Sequence, residues 1–322
     1  MSLTALLSAL VLTSAASDLT RPQDQAVRVP DVAVTGHTLE ERTRDFVGRI
    51  AAPPRGRGLA RWDGPVCPGA VNLQRETAEV ILDRIGDVAR SLDLRVGRRG
   101  CRANLVIIFA TDGAAIARAM VEEDRRLFDP SVGGITRDTA ALEAFQTGDA
   151  PVRWWSLSMQ FDTTTGQRSV RVPGDMPTLN TLPLNTARAL MCNPTDCPLL
   201  HAPAVNVTSV SRLRTQVADA LYKTIVIVDV DQIGDVDAGA LGDYLAFIGL
   251  AQIAGEADTT EFDSVLNLFE GGGRNGLTAW DRAYLEAVYG THAGLRSSHG
   301  RVREVADLMT RNQAVNEAEA SE

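Results

Sequence analysis

Histidine is scarce in this chain. Only four occur in 322 residues, His37, His201, His292 and His299, and all fall in stretches that read as loops or termini. That distribution argues against an imidazole-based triad, and no G-x-S-x-G elbow is present to carry a serine nucleophile. Phosphate cradling is equally unsupported: "GGGRNG" (Gly271 to Gly276) lacks the P-loop lysine and a preceding strand, and reads as a surface loop. Basic charge is in deficit, with 32 Lys+Arg against 41 Asp+Glu and a net charge of −9. A surface that tracks nucleic-acid phosphates is therefore not expected, and "RVGRRGCR" (Arg95 to Arg102) reads as a solvated turn. No stretch reaches the ~18 consecutive apolar residues of a membrane helix.

What is there begins with an apolar run, Leu3 to Ala16, too short to span a bilayer but of the length of a signal-peptide core. Ser14 and Ala16 supply an A-x-A-like cleavage site before Ser17, although no basic segment precedes the run. The expected organisation is a signal peptide over 1–16, a flexible lead-in over 17–37, one domain over 38–311 and a disordered tail over 312–322. Periplasmic or secreted location follows. The four cysteines, Cys67, Cys101, Cys192 and Cys197, suit an oxidising compartment and allow three pairings. "CNPTDC" is not a zinc-knuckle spacing, so the expected bonds are Cys67–Cys101 and Cys192–Cys197. Closing the first loop contributes roughly 3–4 kcal/mol on the loop-entropy model.

Hydrophobic periodicity orders the rest. Thr38 with Glu41 three residues on is a capping box opening a helix. Val80, Ile81, Ile85, Val88 and Leu92 recur at helical spacing within a helix near Leu73 to Leu92. "ANLVIIFAT" and "KTIVIVDVDQI" are apolar runs of strand length, as expected of strands covered on both faces. Asp112 and Gly113 open a further helix. "VRWWSLSMQFD-TTTGQ-RSVRV" alternates and turns near Gly166, a hairpin signal. The order of elements predicts an α/β or α+β layered domain, a mixed sheet with packed helices.

Three segments resemble the metzincin (matrixin-like) zinc peptidases. "LGDYLAFIGLAQI" (Leu241 to Ile253) has the outline of their HExxHxxGLxxH helix, aligned through Gly249 and Leu250. "DSVLNLF" (Asp263 to Phe269) resembles the methionine turn beneath their zinc, with Leu266 in the methionine place. "LTAWDRAYLEAVYG" (Leu277 to Gly290) resembles their closing helix. The chain also resembles exported bacterial proteins of this architecture with no assigned activity. The resemblance implies a metzincin-like core from about Gln74 to Gly290. It places the zinc ligands at Gly242, Ala246 and Gln252 and the general base at Asp243. None of the three ligand positions replaces an imidazole, so the active-site helix is read as refilled, with no catalytic residue, no metal and no cofactor.

Asp229, Asp231, Gly234, Asp235 and Asp237 match EF-hand positions, but Ile233 and Ala240 occupy two that need oxygen ligands; a strand-to-helix loop with Asp237 near the N-cap is the plainer reading. Asp243 with Asp229, Asp231 or Asp281 is a possible carboxylate pair for a hydrolase, the alternative function. Trp154 and Trp155, neighbours on a strand, point to opposite faces, and either one left exposed is a ligand contact. The leading expectation is an exported, non-catalytic binding or structural protein whose partner is a protein or envelope ligand.

Overall fold

The computed structural model describes residues 37–54, 57–124, 128, 139–163, 216–270, 275–291 and 298–319. The chain divides into two compact units, Met1–Gly36 and His37–Glu322. The first, with the expected signal peptide and most of the lead-in, lies outside the described residues, as do Cys192 and Cys197.

Helix α1 (Leu39–Ile50) starts on the capping box read from sequence: Thr38 accepts from the Glu41 N–H at 3.2 Å, and Glu41 accepts from the Thr38 N–H at 2.9 Å. Strand β1 (Pro68–Val71), helix α2 (Arg75–Ser91) and strand β2 (Leu105–Ala110) follow as a parallel β–α–β unit. In α2, Ile81, Ile85 and Val88 are buried, whereas Val80 turns outward and is 50% exposed, a correction to the core stripe read from spacing. Helix α3 (Gly113–Glu123) is N-capped by Asp112, whose side chain accepts from Ala115 N–H. Helix α4 (Thr139–Thr147) had no clear sequence signal.

Strand β3 (Val152–Asp162) pairs antiparallel with β4 (Val217–Asp229) along its whole length, so its partner comes more than fifty residues later. The return arm expected beyond Gly166 lies outside the described residues. The four strands run in the order β1-β2-β4-β3, three parallel and the edge strand β3 reversed. The fold is therefore mixed α/β, with a four-stranded mixed sheet and seven helices among the described residues.

The two sheet faces carry different loads. One packs on α2, α5 (Ala238–Leu250) and α6 (Ala279–Gly290) in the main core with Leu105, Ile107 and Trp154. The other holds a smaller cluster of Ala117, Phe128, Phe145, Trp155 and Ile227 beneath α3 and α4. Trp154 and Trp155 thus take opposite faces, as alternation requires, but both are buried. Helix α7 (Ser298–Glu319) packs on α1 and α6 and is helical through most of the stretch read as a disordered tail. Cys67 and Cys101 are bonded, Cα atoms 6.1 Å apart, and tie the start of β1 to the segment entering β2.

Candidate functional site

Helix α5 is apolar on every side, and Ala240 to Leu250 are all buried, as expected for a helix sealed inside a domain. Asp237 caps its N-terminus, accepting from Gly239 and Ala240 N–H at 2.8 and 3.1 Å. Gly242, Ala246 and Gly249 recur at i, i+4 and i+7, on one helical face. That face is closed by neighbours. A Cβ on Gly242 would lie 2.9 Å from Arg84 Cβ on α2, and one on Gly249 would lie 2.7 Å from Leu105 Cδ2 on β2. Both glycines serve close packing, and Gly249 is not needed to turn the chain. The helix ends at Leu250, and Ala251 is extended.

The last turn is fully engaged. Trp62 Nε1 donates to Gly249 O at 2.8 Å and the Tyr289 hydroxyl to Leu250 O at 2.6 Å, satisfying two carbonyls that a helix end leaves orphaned. Gln252, just past the helix end, accepts at its Oε1 from Ala60 N–H at 2.8 Å. Asp243 faces α2, where Arg84 holds it through two bonds of 2.5 and 2.8 Å, and it also accepts from Leu277 N–H. Leu266 sits in a 3-10 turn (Val265–Asn267) that packs against α5 and the core.

A single carboxylate joins that turn to α6. Asp281, wholly buried, accepts from Ser264 Oγ (2.7 Å), Val265 N–H (2.8 Å), Thr278 N–H (3.0 Å) and Thr278 Oγ1 (2.9 Å). Burial outweighs these bonds and pushes its carboxyl up to about 6. Asp229 spends its oxygens on Gly113 N–H and Asp231 N–H, between the start of α3 and the loop after β4. The aspartates weighed as an acid–base pair therefore each answer to a different set of donors. Among the described residues no group of three or more His, Cys, Asp or Glu is placed to hold a metal.

The opposite situation holds at β3. Asp229 N–H donates to Pro151 O at 2.8 Å and the register pairs Arg153 with Ile227 and Trp155 with Ile225, so residues 151, 153 and 155 turn their backbone groups toward β4. Val152, Trp154 and Ser156 must then present theirs to the outer edge. No hydrogen bond among the described residues reaches those N–H and C=O groups. A cavity of about 240 Å³ runs along this edge, lined by Val152, Trp154 and Ser156, by α4, and by the segment from Gln252 to Glu256. Trp154 Nε1 donates to Ile253 O at 3.0 Å and pins that segment to the strand; its ring meets Tyr244 of α5 edge-on at 6.3 Å.

Arg153 lines the same cavity. It is 6% exposed, and its Nη atoms reach only the carbonyls of Phe145 and Ala150, at 3.3 and 3.4 Å. Burial pushes its guanidinium below its ordinary value, against the pull of Asp229 and Asp112. It forms no ion pair with a described carboxylate, unlike Arg57 and Arg301, which both bond Asp219 at 2.7 and 3.0 Å. Arg153 Nε, Trp155 Nε1 and Gln252 Nε2 are buried donors without partners, all three on residues that line the cavity.

No family model, curated protein or solved structure matches the chain. Of the positions named from sequence, Trp154, Trp155 and Gln252 meet at the cavity, while Gly242, Ala246, Gly249 and Asp243 are enclosed elsewhere on α5. Arg153 went unnoticed because a lone arginine in a strand carries no motif. The usable signal was a charge between Val152 and two tryptophans, on a strand otherwise apolar enough for the core.

Proposed function

We propose that this chain is an exported, non-catalytic binding protein on a metzincin-like fold, and that it takes an extended peptide along the outer edge of β3. The observation that carries the reading is the cavity beside the backbone of Val152, Trp154 and Ser156, which no described residue bonds. Such an edge offers donors and acceptors at the strand repeat, and an added strand satisfies them all at once. The metzincin likeness is supported by the way the "DSVLNLF" turn packs against α5 and is bonded through Asp281 to the closing helix. Loss of catalysis is supported by Gly242 and Ala246, which offer no metal donor, and by Gln252, whose amide oxygen already serves Ala60. Export is supported by the Cys67–Cys101 bond.

Ser156→Pro gives a direct test. It removes an N–H that points away from β4, so the ladder to β4 is kept while the outer edge loses a donor. A synthetic library of unstructured heptapeptides, carrying both free and amidated C-termini, is passed over immobilised full-length protein. The wild type should retain peptides and the folded variant should lose most of them; equal retention by both would remove the edge from the mechanism. One equivalent of tightly bound zinc in the purified protein would overturn the non-catalytic half of the proposal.

A further inference from the structure

The cavity brings together three residues that carry unpaired buried donors, one of them positively charged. Arg153 is enclosed on a sheet face with two long contacts to carbonyls and no carboxylate bonded to it. A buried guanidinium in that state has lost most of its hydration, and the carboxylates of Asp229 and Asp112 attract it through space with no hydrogen bond to it among the described residues. Trp155 and Gln252, which line the same cavity from its two sides, each carry a buried donor without a partner, Nε1 and Nε2. Unpaired buried donors are rare enough in folded proteins that a cluster of them around one space points to an absent acceptor. The two acids lining the cavity, Asp149 and Glu256, are exposed and sit at its rim. Charge is thus layered, positive at the floor and negative at the mouth.

Size narrows the occupant. The cavity, about 240 Å³, falls short of the ~300–1,000 Å³ typical of pockets that engulf a whole small ligand. It is enough for the last residue of a chain whose remainder lies along β3. Resting on the peptide-binding reading above, we propose that the cavity receives the free α-carboxylate of a peptide's C-terminus, with Arg153 as its counter-ion. The carboxylate takes the Nη hydrogens now shared with the Phe145 and Ala150 carbonyls, because an ionised acceptor forms shorter and stronger bonds than those carbonyls do. The preceding residues add to the edge at Val152, Trp154 and Ser156. Basic side chains among them meet Asp149 at the mouth.

The test compares matched heptapeptide libraries, each with a lysine three residues from the end, made once as free acids and once as C-terminal amides. Retention is measured on the full-length protein. The free acids should bind about tenfold more tightly than the amides, the value of one charge-assisted pair in a partly buried site. Arg153→Gln should erase the difference by weakening only the acids, and Arg153→Lys should restore part of it. Acids and amides held equally by the wild type, with both lost in Ser156→Pro, would overturn the terminus proposal and leave edge binding standing. Retention of neither library would overturn both. The acid–amide comparison is made on the unaltered chain, so it decides the matter even if Arg153 variants fail to fold.

Discussion

The α5 face and the outer edge of β3 stand on the same side of one sheet's economy yet are finished differently. On α5 the end and the buried acid are met: Trp62 and Tyr289 bond two terminal carbonyls, Arg84 holds Asp243, and Gly242 and Gly249 let α2 and β2 pack closely against the helix. At β3 the backbone of three residues has no hydrogen bond to a described residue, and a buried arginine and two further donors carry atoms without a partner among them. Completed regions are where stability is made, and incomplete ones are where binding is left to be done. The helix that most resembles an active site belongs to the first kind, and the strand edge beside it to the second.

Substitutions can break or sharpen that contrast. The largest effect is expected at Asp281→Ala, which strands the donors of Ser264, Val265 and Thr278 in the core; denaturant unfolding should show a loss of about 4 kcal/mol. Replacing Cys67 and Cys101 together by serine should cost about 3 kcal/mol, read as a lower denaturation midpoint that reductant lowers less than it lowers the wild type's. Asp243→Asn keeps the shape but gives up the charge opposite Arg84; because that arginine is part exposed, the expected loss is about 2 kcal/mol.

A pH effect comes next. Burial raises the folded-state carboxyl of Asp281 to about 6, from 3.8. Its contribution to stability is full below the unfolded value and is lost as pH rises through about 6. The wild type should gain about 1 kcal/mol from this group on going from pH 7 to pH 5, and Asp281→Asn should not. The smallest effect, and the most telling, is Arg153→Met. Removing a buried charge that has no ion pair should leave stability within about 1 kcal/mol of wild type, or raise it, while peptide acids are no longer preferred. A large destabilisation there would class Arg153 with Asp243 as structural.

The elements that were legible in the sequence are those with strong local signals. β2 and the second half of β4 stood out as apolar runs, α1 as a capping box, and Cys67 and Cys101 as a pairing suited to export. Helix α4 did not, because its nine residues bury only Ala141 and Phe145. The partner of β3 was hidden for a different reason. A turn near Gly166 is a local signal, while pairing with β4 is a contact between distant segments, which alternation alone does not encode. At the candidate site, the tryptophans were readable as alternating strand residues, and their faces came out as expected. The resemblance pointed to Gly242, Ala246 and Gly249, where what matters is the missing side chain: they admit Arg84 and Leu105, and that is visible only once α2 and β2 are in place. Arg153 became visible only through what fails to surround it.

The central claim is that the working surface is the β3 edge and not the α5 face. Amide-resolved hydrogen exchange by NMR, with and without the free-acid heptapeptide library, tests it most directly. The account predicts that the amides of Val152, Trp154 and Ser156 exchange fast in the free protein and slow by at least about tenfold on binding, while those of Gly242 to Leu250 are protected throughout. Protection that appears on the 264–269 turn, with the β3 amides unchanged, would contradict it.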